Sequence, residues 1–159
     1  MASKVNPIPD PARSITPYLI VRNAGEMIDF YKKVFGATEK FRLDMPDGRI
    51  GHAELAIGGA AIMLSDEFPD MGFLSPIAIG KGRSPVAIHI YVEDIDATYR
   101  KALAAGATTL REPETQFYGD RNAQVKDPSG HSWDISSHVE DVSPDEMKKR
   151  MAAMSKQAG

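Results

Sequence analysis

In the first part of the chain, apolar residues first alternate with polar ones, then recur at helical spacing, and then alternate again. A strand predicted over residues 14–22 is followed by a helix, and Gly36 is expected to end that helix. Three more strands are predicted in the same half, over residues 38–43, 50–57 and 60–64.

The second half repeats this order of elements. A strand over residues 86–92 alternates apolar and polar positions, and a helix is predicted between Asp94 and Gly106. Three further strands are predicted over residues 108–111, 117–125 and 131–137. Both halves therefore predict a strand, a helix and three strands.

Matched residues in the two halves lie at one constant spacing of 71 residues: Val21 and Val92, Gly48 and Gly119, Gly59 and Gly130. This spacing indicates a tandem duplication of one βαβββ module. One module cannot bury its sheet alone, so we expect an α+β fold in which two modules form a cup-shaped mixed β-sheet.

The remaining segments flank or join the modules. Residues 66–83 contain too many apolar residues for a solvated linker, so we expect this connector to pack over the protein. Ser143 and Pro144 form a capping motif that predicts a C-terminal helix. The predicted organisation is an extended N-terminal arm at 1–13, modules at 14–65 and 84–138, the connector at 66–83, and the C-terminal helix region at 139–159.

Composition narrows the possible functions. The 159 residues have a net charge of −3, which argues against a nucleic-acid partner. No cysteine is present, so disulfides, Cys-ligated zinc and thiol catalysis are excluded. We expect no membrane partner and a cytoplasmic location, because no targeting segment or membrane-length apolar run is visible.

Several motifs resemble the glyoxalase/bleomycin-resistance family of the vicinal oxygen chelate superfamily: YLIV at 18–21, DFYKKVFGA at 29–37, YVEDID at 91–96, AAGA at 104–107 and DPSGH at 127–131. Others are similar to its PhnB-like branch: GHAEL at 51–55, MLSD at 63–66, YGDR at 118–121 and HVEDVSPDEM at 138–147. The resemblance implies the two-module cup and a homodimer. It leaves the reaction open, because the family includes lyases, isomerases, dioxygenases and binding proteins.

Enzymes of this family hold one divalent metal through side chains on the first and last strands of the modules. Carried over by resemblance, those positions fall on Thr16, Met63, Ala87 and Asp134. Only Asp134 is a strong ligand, so we expect no metal or other cofactor. The alternative is one divalent metal ion at a relocated site, with His52, Glu54 and His89 as ligands.

The polar faces of the strands suggest a ligand site instead. We expect tyrosine side chains to form its walls, and polar side chains with Asp134 to contact the ligand. The tyrosines are Tyr18, Tyr91 and Tyr118, and the other polar residues are His52, Glu54, His89 and Arg121.

Two functions follow from this site. The first is a protein that binds a small molecule in the cup without the family's metal, with no catalytic residue assigned. The second is a metal-dependent lyase, isomerase or dioxygenase of glyoxalase type that uses the relocated site.

Overall fold

The computed structural model describes residues 15–80 and 84–157. The chain divides into two compact units, residues 1–82 and 83–159. Each unit has one four-stranded mixed sheet with a helix packed against it, so the predicted α+β fold with two repeated modules is confirmed. The predicted arm at 1–13 lies outside the described residues.

The first unit has its strands in the order β1-β4-β3-β2. Its elements are β1 (Tyr18–Val21), α1 (Ala24–Phe35), β2 (Thr38–Asp44), β3 (Ile50–Ile57), β4 (Ala60–Asp66), a 3₁₀ turn (Pro69–Met71) and the short α2 (Pro76–Ile79). β1 pairs in parallel with β4, and the other pairs are antiparallel. Apolar side chains of α1 and of the sheet are buried together: Met27, Ile28, Tyr31, Val34, Val21, Leu55 and Leu64.

The second unit repeats the arrangement in the order β5-β8-β7-β6. Its elements are β5 (Ala87–Tyr91), α3 (Ile95–Ala104), β6 (Thr108–Thr115), β7 (Asp120–Lys126), β8 (Ser132–His138) and α4 (Pro144–Gln157). The buried residues Ala123, Val125, Trp133 and Ile135 form the sheet's side of its core. Ser143 caps α4 as predicted, because its Oγ accepts from the Glu146 N–H at 3.3 Å.

The repeat extends to the way each helix begins. The Ala24 N–H at the start of α1 donates to Asp66 Oδ1 at 2.8 Å. In the second unit, the Ile95 N–H at the start of α3 donates to Ser137 Oγ at 3.1 Å. Both caps come from the end of the last strand of the module, and they satisfy a helix N–H group that has no partner within the helix.

Several predicted strand boundaries were wrong. The first strand begins at Tyr18 rather than at residue 14, and the seventh begins at Asp120 because residues 117–119 form a turn. The sixth strand continues to Thr115 although it contains Pro113. It lies at the edge of its sheet, where a proline without an N–H group is tolerated.

Candidate functional site

The connector folds back over the first unit, as its apolar content predicted. Phe68 and Phe73 pair their backbones, with N–H to O distances of 2.8 and 3.1 Å. Glu67 accepts hydrogen bonds from the backbone N–H and the hydroxyl of buried Ser75. The Arg49 guanidinium lies 4.2 Å from the centre of the Phe68 ring. The first two contacts shape the connector itself, and the contact with Arg49 joins it to the turn before β3.

A pocket of about 440 Å³ lies between the connector and the first sheet. It has two polar groups, the Tyr18 and Ser65 hydroxyls, and its other side chains are apolar. The lining residues are Tyr18, Ile20, Leu43, Met45, Gly51, Ser65, Phe68, Met71 and Phe73. A concave apolar surface with a few polar groups is typical of a small-molecule site. We call it the first-sheet pocket.

Three of the predicted site residues lie in contact beside this pocket. Tyr18 Oη is 3.0 Å from His52 Nδ1, and His52 Nε2 is 3.3 Å from Glu54 Oε1. The Phe41 ring lies 6.1 Å from the imidazole ring of His52. Tyr18, His52 and Glu54 therefore form a chain of polar contacts on the sheet face opposite α1.

Four other predicted site residues lie on the second sheet or its adjoining turn. The ring centres of His89 and Tyr91 are 4.9 Å apart, and His89 Nδ1 is 3.7 Å from Asp134 Oδ2. Tyr118 is reached through Asn122, whose amide donates to the Tyr118 hydroxyl oxygen at 2.6 Å. These side chains share the sheet face opposite α3.

Arg121 does not belong to this group. Its guanidinium makes two hydrogen bonds to Asp96 of α3, at 2.8 and 2.9 Å, and the hydrogen bond from Arg121 lowers the pKa of Asp96. The prediction that Arg121 faces the ligand was wrong about its direction. Along β7, Arg121 has the same parity as the buried Ala123 and Val125, a signal already present in the sequence.

The strand register gives the neighbours of the metal positions implied by the family resemblance. Asp134 lies opposite His89, Ala87 lies opposite Ser132, and Met63 lies opposite Tyr18. Arg111 Nη2 lies 3.7 Å from Asp134 Oδ1, and its positive charge disfavours a cation there. Within residues 15–80 and 84–157, no three His, Asp or Glu side chains group closely enough to hold a metal ion. The donor set does not fit the family's divalent metal.

A second cluster of polar side chains in the second unit was not predicted from the sequence. The Tyr91 hydroxyl donates to Asp120 Oδ2 at 2.7 Å, and His138 Nδ1 is 2.7 Å from Asp120 Oδ1. His138 Nε2 is 2.9 Å from Asp141 Oδ1. The cluster borders a cavity of about 650 Å³ that Tyr118 also lines. The parity of β8 puts His138 on the same face as Asp134, but nothing in the sequence indicated its two carboxylate partners.

The carboxylates of this cluster shift its pKa values. Hydrogen bonds to Asp120 and then to Asp141 raise the pKa of His138 above its usual 6.5. Burial raises the pKa of Asp120, but hydrogen bonds from Tyr91 and His138 outweigh burial and lower it overall. The hydrogen bond to Asp120 raises the pKa of Tyr91. His138 therefore holds its proton more tightly in the folded protein than in the unfolded chain.

The stabilisation from His138 is expected to depend on pH. Because its pKa is raised on folding, the contribution is complete below pH 6.5 and is lost as the pH rises through the folded-state pKa. The measurement is the free energy of unfolding against pH for the wild type and for His138→Ala. We expect the free energy of unfolding of the wild type to exceed that of His138→Ala at low pH, and this difference to shrink as the pH rises. An imidazole pKa at or below 6.5 in an NMR titration of His138 would contradict this.

Known proteins resemble the chain over most of its length. A family model described as the Glyoxalase/Bleomycin resistance protein/Dioxygenase superfamily matches residues 13–135. The protein Mb0911c of Mycobacterium bovis is 42% identical over 141 residues, which cover 88% of this chain and 93% of that protein.

Solved structures show the same fold. The Arabidopsis thaliana gene product At5g48480 is 26% identical with a TM-score of 0.62, over 78% of this chain and 98% of that one. The PhnB protein from Bacillus cereus has a TM-score of 0.63 at 18% identity, over 79% of this chain and 99% of that one.

In the described part of this chain, no helix is both long and apolar enough to span a membrane.

Proposed function

We propose that this chain, which belongs to the glyoxalase/bleomycin resistance protein/dioxygenase superfamily, binds a small apolar or aromatic molecule in the first-sheet pocket. The observation that supports this most directly is the pocket itself, a cavity of about 440 Å³ lined mostly by apolar side chains of the sheet and the connector. Burial of an apolar ligand there would supply most of the affinity.

The polar side chains would orient the ligand. Tyr18 lines the pocket and contacts His52, which in turn contacts Glu54. A ligand oxygen or nitrogen near the Tyr18 hydroxyl would join this chain of hydrogen bonds. We propose that His89 and Asp134, together with Tyr91 and Tyr118, contact polar groups of a ligand on the second sheet.

Binding in this proposal needs no divalent ion, because the side chains around Asp134 do not fit one. The alternative is a metal-dependent lyase, isomerase or dioxygenase with ligands from His52, Glu54 and His89, and the contact of His52 Nε2 with Glu54 Oε1 at 3.3 Å favours it. Metal analysis of untagged protein purified without chelator separates the two. We expect no stoichiometric ion, whereas one ion per chain that is lost in His89→Ala would support the enzyme.

The proposed homodimer is a separate question. We propose it from the family resemblance, and light scattering of the full chain would test it. A mass of about twice 17.4 kDa is expected, and a monomer at all concentrations would contradict it.

Filling the first-sheet pocket is expected to weaken binding. A Cβ on Gly51 would lie 2.9 Å from Met45 Sδ, so the side chain of Gly51→Leu would occupy pocket volume. The probe is N-phenyl-1-naphthylamine, a neutral aromatic dye whose fluorescence rises in apolar surroundings. We expect a saturable rise for the wild type and about tenfold weaker binding for Gly51→Leu, a loss of about 1.4 kcal/mol.

The matched control is Gly25→Leu. Gly25 lies in α1, and a Cβ there meets nothing within 4 Å, so this variant adds the same side chain away from the pocket. Its dye affinity should equal that of the wild type. Equal affinity in Gly51→Leu, with the fold intact by circular dichroism, would place the dye elsewhere and contradict the proposal.

A further inference from the structure

The two hydroxyl groups that line the first-sheet pocket both give their hydrogens to neighbours within the protein. The simpler case is Ser65, whose hydroxyl donates to the Asp66 carbonyl oxygen at 3.1 Å. Because a carbonyl oxygen accepts and never donates, the direction of this hydrogen bond is fixed. The Ser65 oxygen therefore has a lone pair to offer a ligand, but no hydrogen.

The direction of the hydrogen bond made by Tyr18 follows from the two residues behind it. An ionised carboxylate has no hydrogen to give, so His52 Nε2 carries the hydrogen and donates to Glu54 Oε1 at 3.3 Å. A neutral imidazole has a single N–H group, which leaves a lone pair on Nδ1. The Tyr18 hydroxyl, 3.0 Å from Nδ1, therefore donates to it. Like Ser65, Tyr18 is left as an acceptor for a ligand.

The surroundings of His52 maintain this direction. The centre of its ring lies 5.5 Å from that of Tyr18 and 6.1 Å from that of Phe41, and its side chain is only 25% exposed. If the Tyr18 O–H rotated towards a ligand, Nδ1 would lose its donor in a place that water reaches poorly. That loss would offset the hydrogen bond gained with the ligand.

We propose that the first-sheet pocket selects neutral aromatic molecules that carry a hydroxyl group, such as phenols and naphthols. The ring packs against the apolar lining, and the hydroxyl donates to Tyr18 Oη, with Ser65 Oγ as a second acceptor on the same pocket wall. An ether or carbonyl oxygen in that place would face lone pairs and has no hydrogen to donate. This inference rests on the proposed function, because it names the class of small molecule that the pocket binds.

The probes are 1-naphthol and 1-methoxynaphthalene, which share a ring system but differ in whether the oxygen carries a hydrogen. Both are titrated into ¹⁵N-labelled full-length protein at pH 8, where imidazole is neutral and 1-naphthol keeps its proton. Dissociation constants are taken from the backbone amide shifts of Gly51 and Ser65. We expect 1-naphthol to bind about tenfold more tightly. Equal affinities, or tighter binding of the ether, would overturn the proposal.

Two variants should remove this preference in opposite ways. Tyr18→Phe keeps the ring but loses the acceptor, so the affinity for 1-naphthol should fall about tenfold while that for the ether stays the same. His52→Leu frees the Tyr18 hydrogen, so the affinity for the ether should rise towards that for 1-naphthol. If His52 only supported the shape of the pocket, His52→Leu would weaken both compounds together, and that result would overturn the assignment.

Tyr99→Phe is the matched control. Tyr99 lies on α3 in the second unit, and its hydroxyl is likewise engaged within the protein, 2.7 Å from Thr109 Oγ1. Its loss should change neither dissociation constant. If the naphthylamine dye binds but 1-naphthol is not preferred over its ether, only this inference falls. If neither the dye nor the two naphthalenes bind, the proposed function falls too.

Discussion

Gly119→Ala is expected to lower the free energy of unfolding by about 3 kcal/mol or more. Gly119 has a φ of +100°, where a side chain is strained, and an added Cβ would lie 2.1 Å from the Glu140 carbonyl oxygen. That oxygen belongs to the backbone, so it cannot move aside cheaply. The Gly119 carbonyl also accepts from the N–H groups of Val139 and Glu140 at 2.9 and 3.0 Å. The substitution should therefore displace the segment that leads into α4.

Gly106→Ala separates the two causes of this loss. Gly106 has nearly the same φ, +104°, but an added Cβ there meets only Pro128 Cγ at 3.5 Å, an ordinary contact. Urea unfolding of both variants should show a cost for Gly106→Ala of about 1–2 kcal/mol, from backbone strain alone. Equal losses in the two variants would contradict the close contact between Gly119 and Glu140.

Asp127→Ala is the second large effect, and we expect it to cost about 3 kcal/mol. Asp127 is buried in the turn before β8 and accepts from the N–H groups of Ser129 and His131, each at 3.0 Å. Its second oxygen accepts from the indole Nε1–H of Trp133 at 2.9 Å. Removal of the carboxylate leaves these donors without an acceptor in the interior.

Asp47→Ala provides the comparison for Asp127→Ala. Asp47 also accepts from a backbone N–H two residues later, that of Arg49 at 3.1 Å, but its turn is exposed and water can replace the carboxylate. Thermal unfolding of both variants should show a large fall in Tm for Asp127→Ala and little change for Asp47→Ala. Similar Tm values for the two variants would mean that burial of Asp127 does not increase the cost of losing its hydrogen bonds.

The repeated pattern of apolar residues and glycines predicted the fold because both halves of the chain need the same turns and helix ends. Gly48 and Gly119 both have positive φ in turns before a strand, and Gly36 ends α1 in the left-handed region. The helical spacing of apolar residues predicted α1 and α3, because each helix packs against the sheet of its own unit. Strand ends were less predictable, because pairing with a neighbouring strand decides them: β6 continues past Pro113, which alternation alone does not indicate.

Site residues were predictable where parity along one strand decides their direction. His52 and Glu54 alternate with buried Ala53 and Leu55, and in the structure His52 contacts both Tyr18 and Glu54. The contacts of Arg111 with Asn122 and Asp134 were not predictable, because they depend on the register between β6, β7 and β8.

The first-sheet pocket had only an indirect signal in the sequence. The apolar connector indicated that something lies beneath it, and Phe68 and Phe73 do close over the sheet. Which sheet residues meet the connector depends on the fold of that irregular segment, which has no periodicity to interpret.

The most direct test of the account is to locate the bound aromatic probe on the protein. ¹⁵N-labelled chain is titrated with N-phenyl-1-naphthylamine in the presence of EDTA, and backbone amide shifts are followed by NMR. We predict saturable shifts at Gly51, Ser65 and Met71, which line the first-sheet pocket, and none at Ala53 and Leu55, which face α1. Shifts confined to the second unit, or binding that disappears with EDTA, would contradict a metal-independent small-molecule site in this pocket.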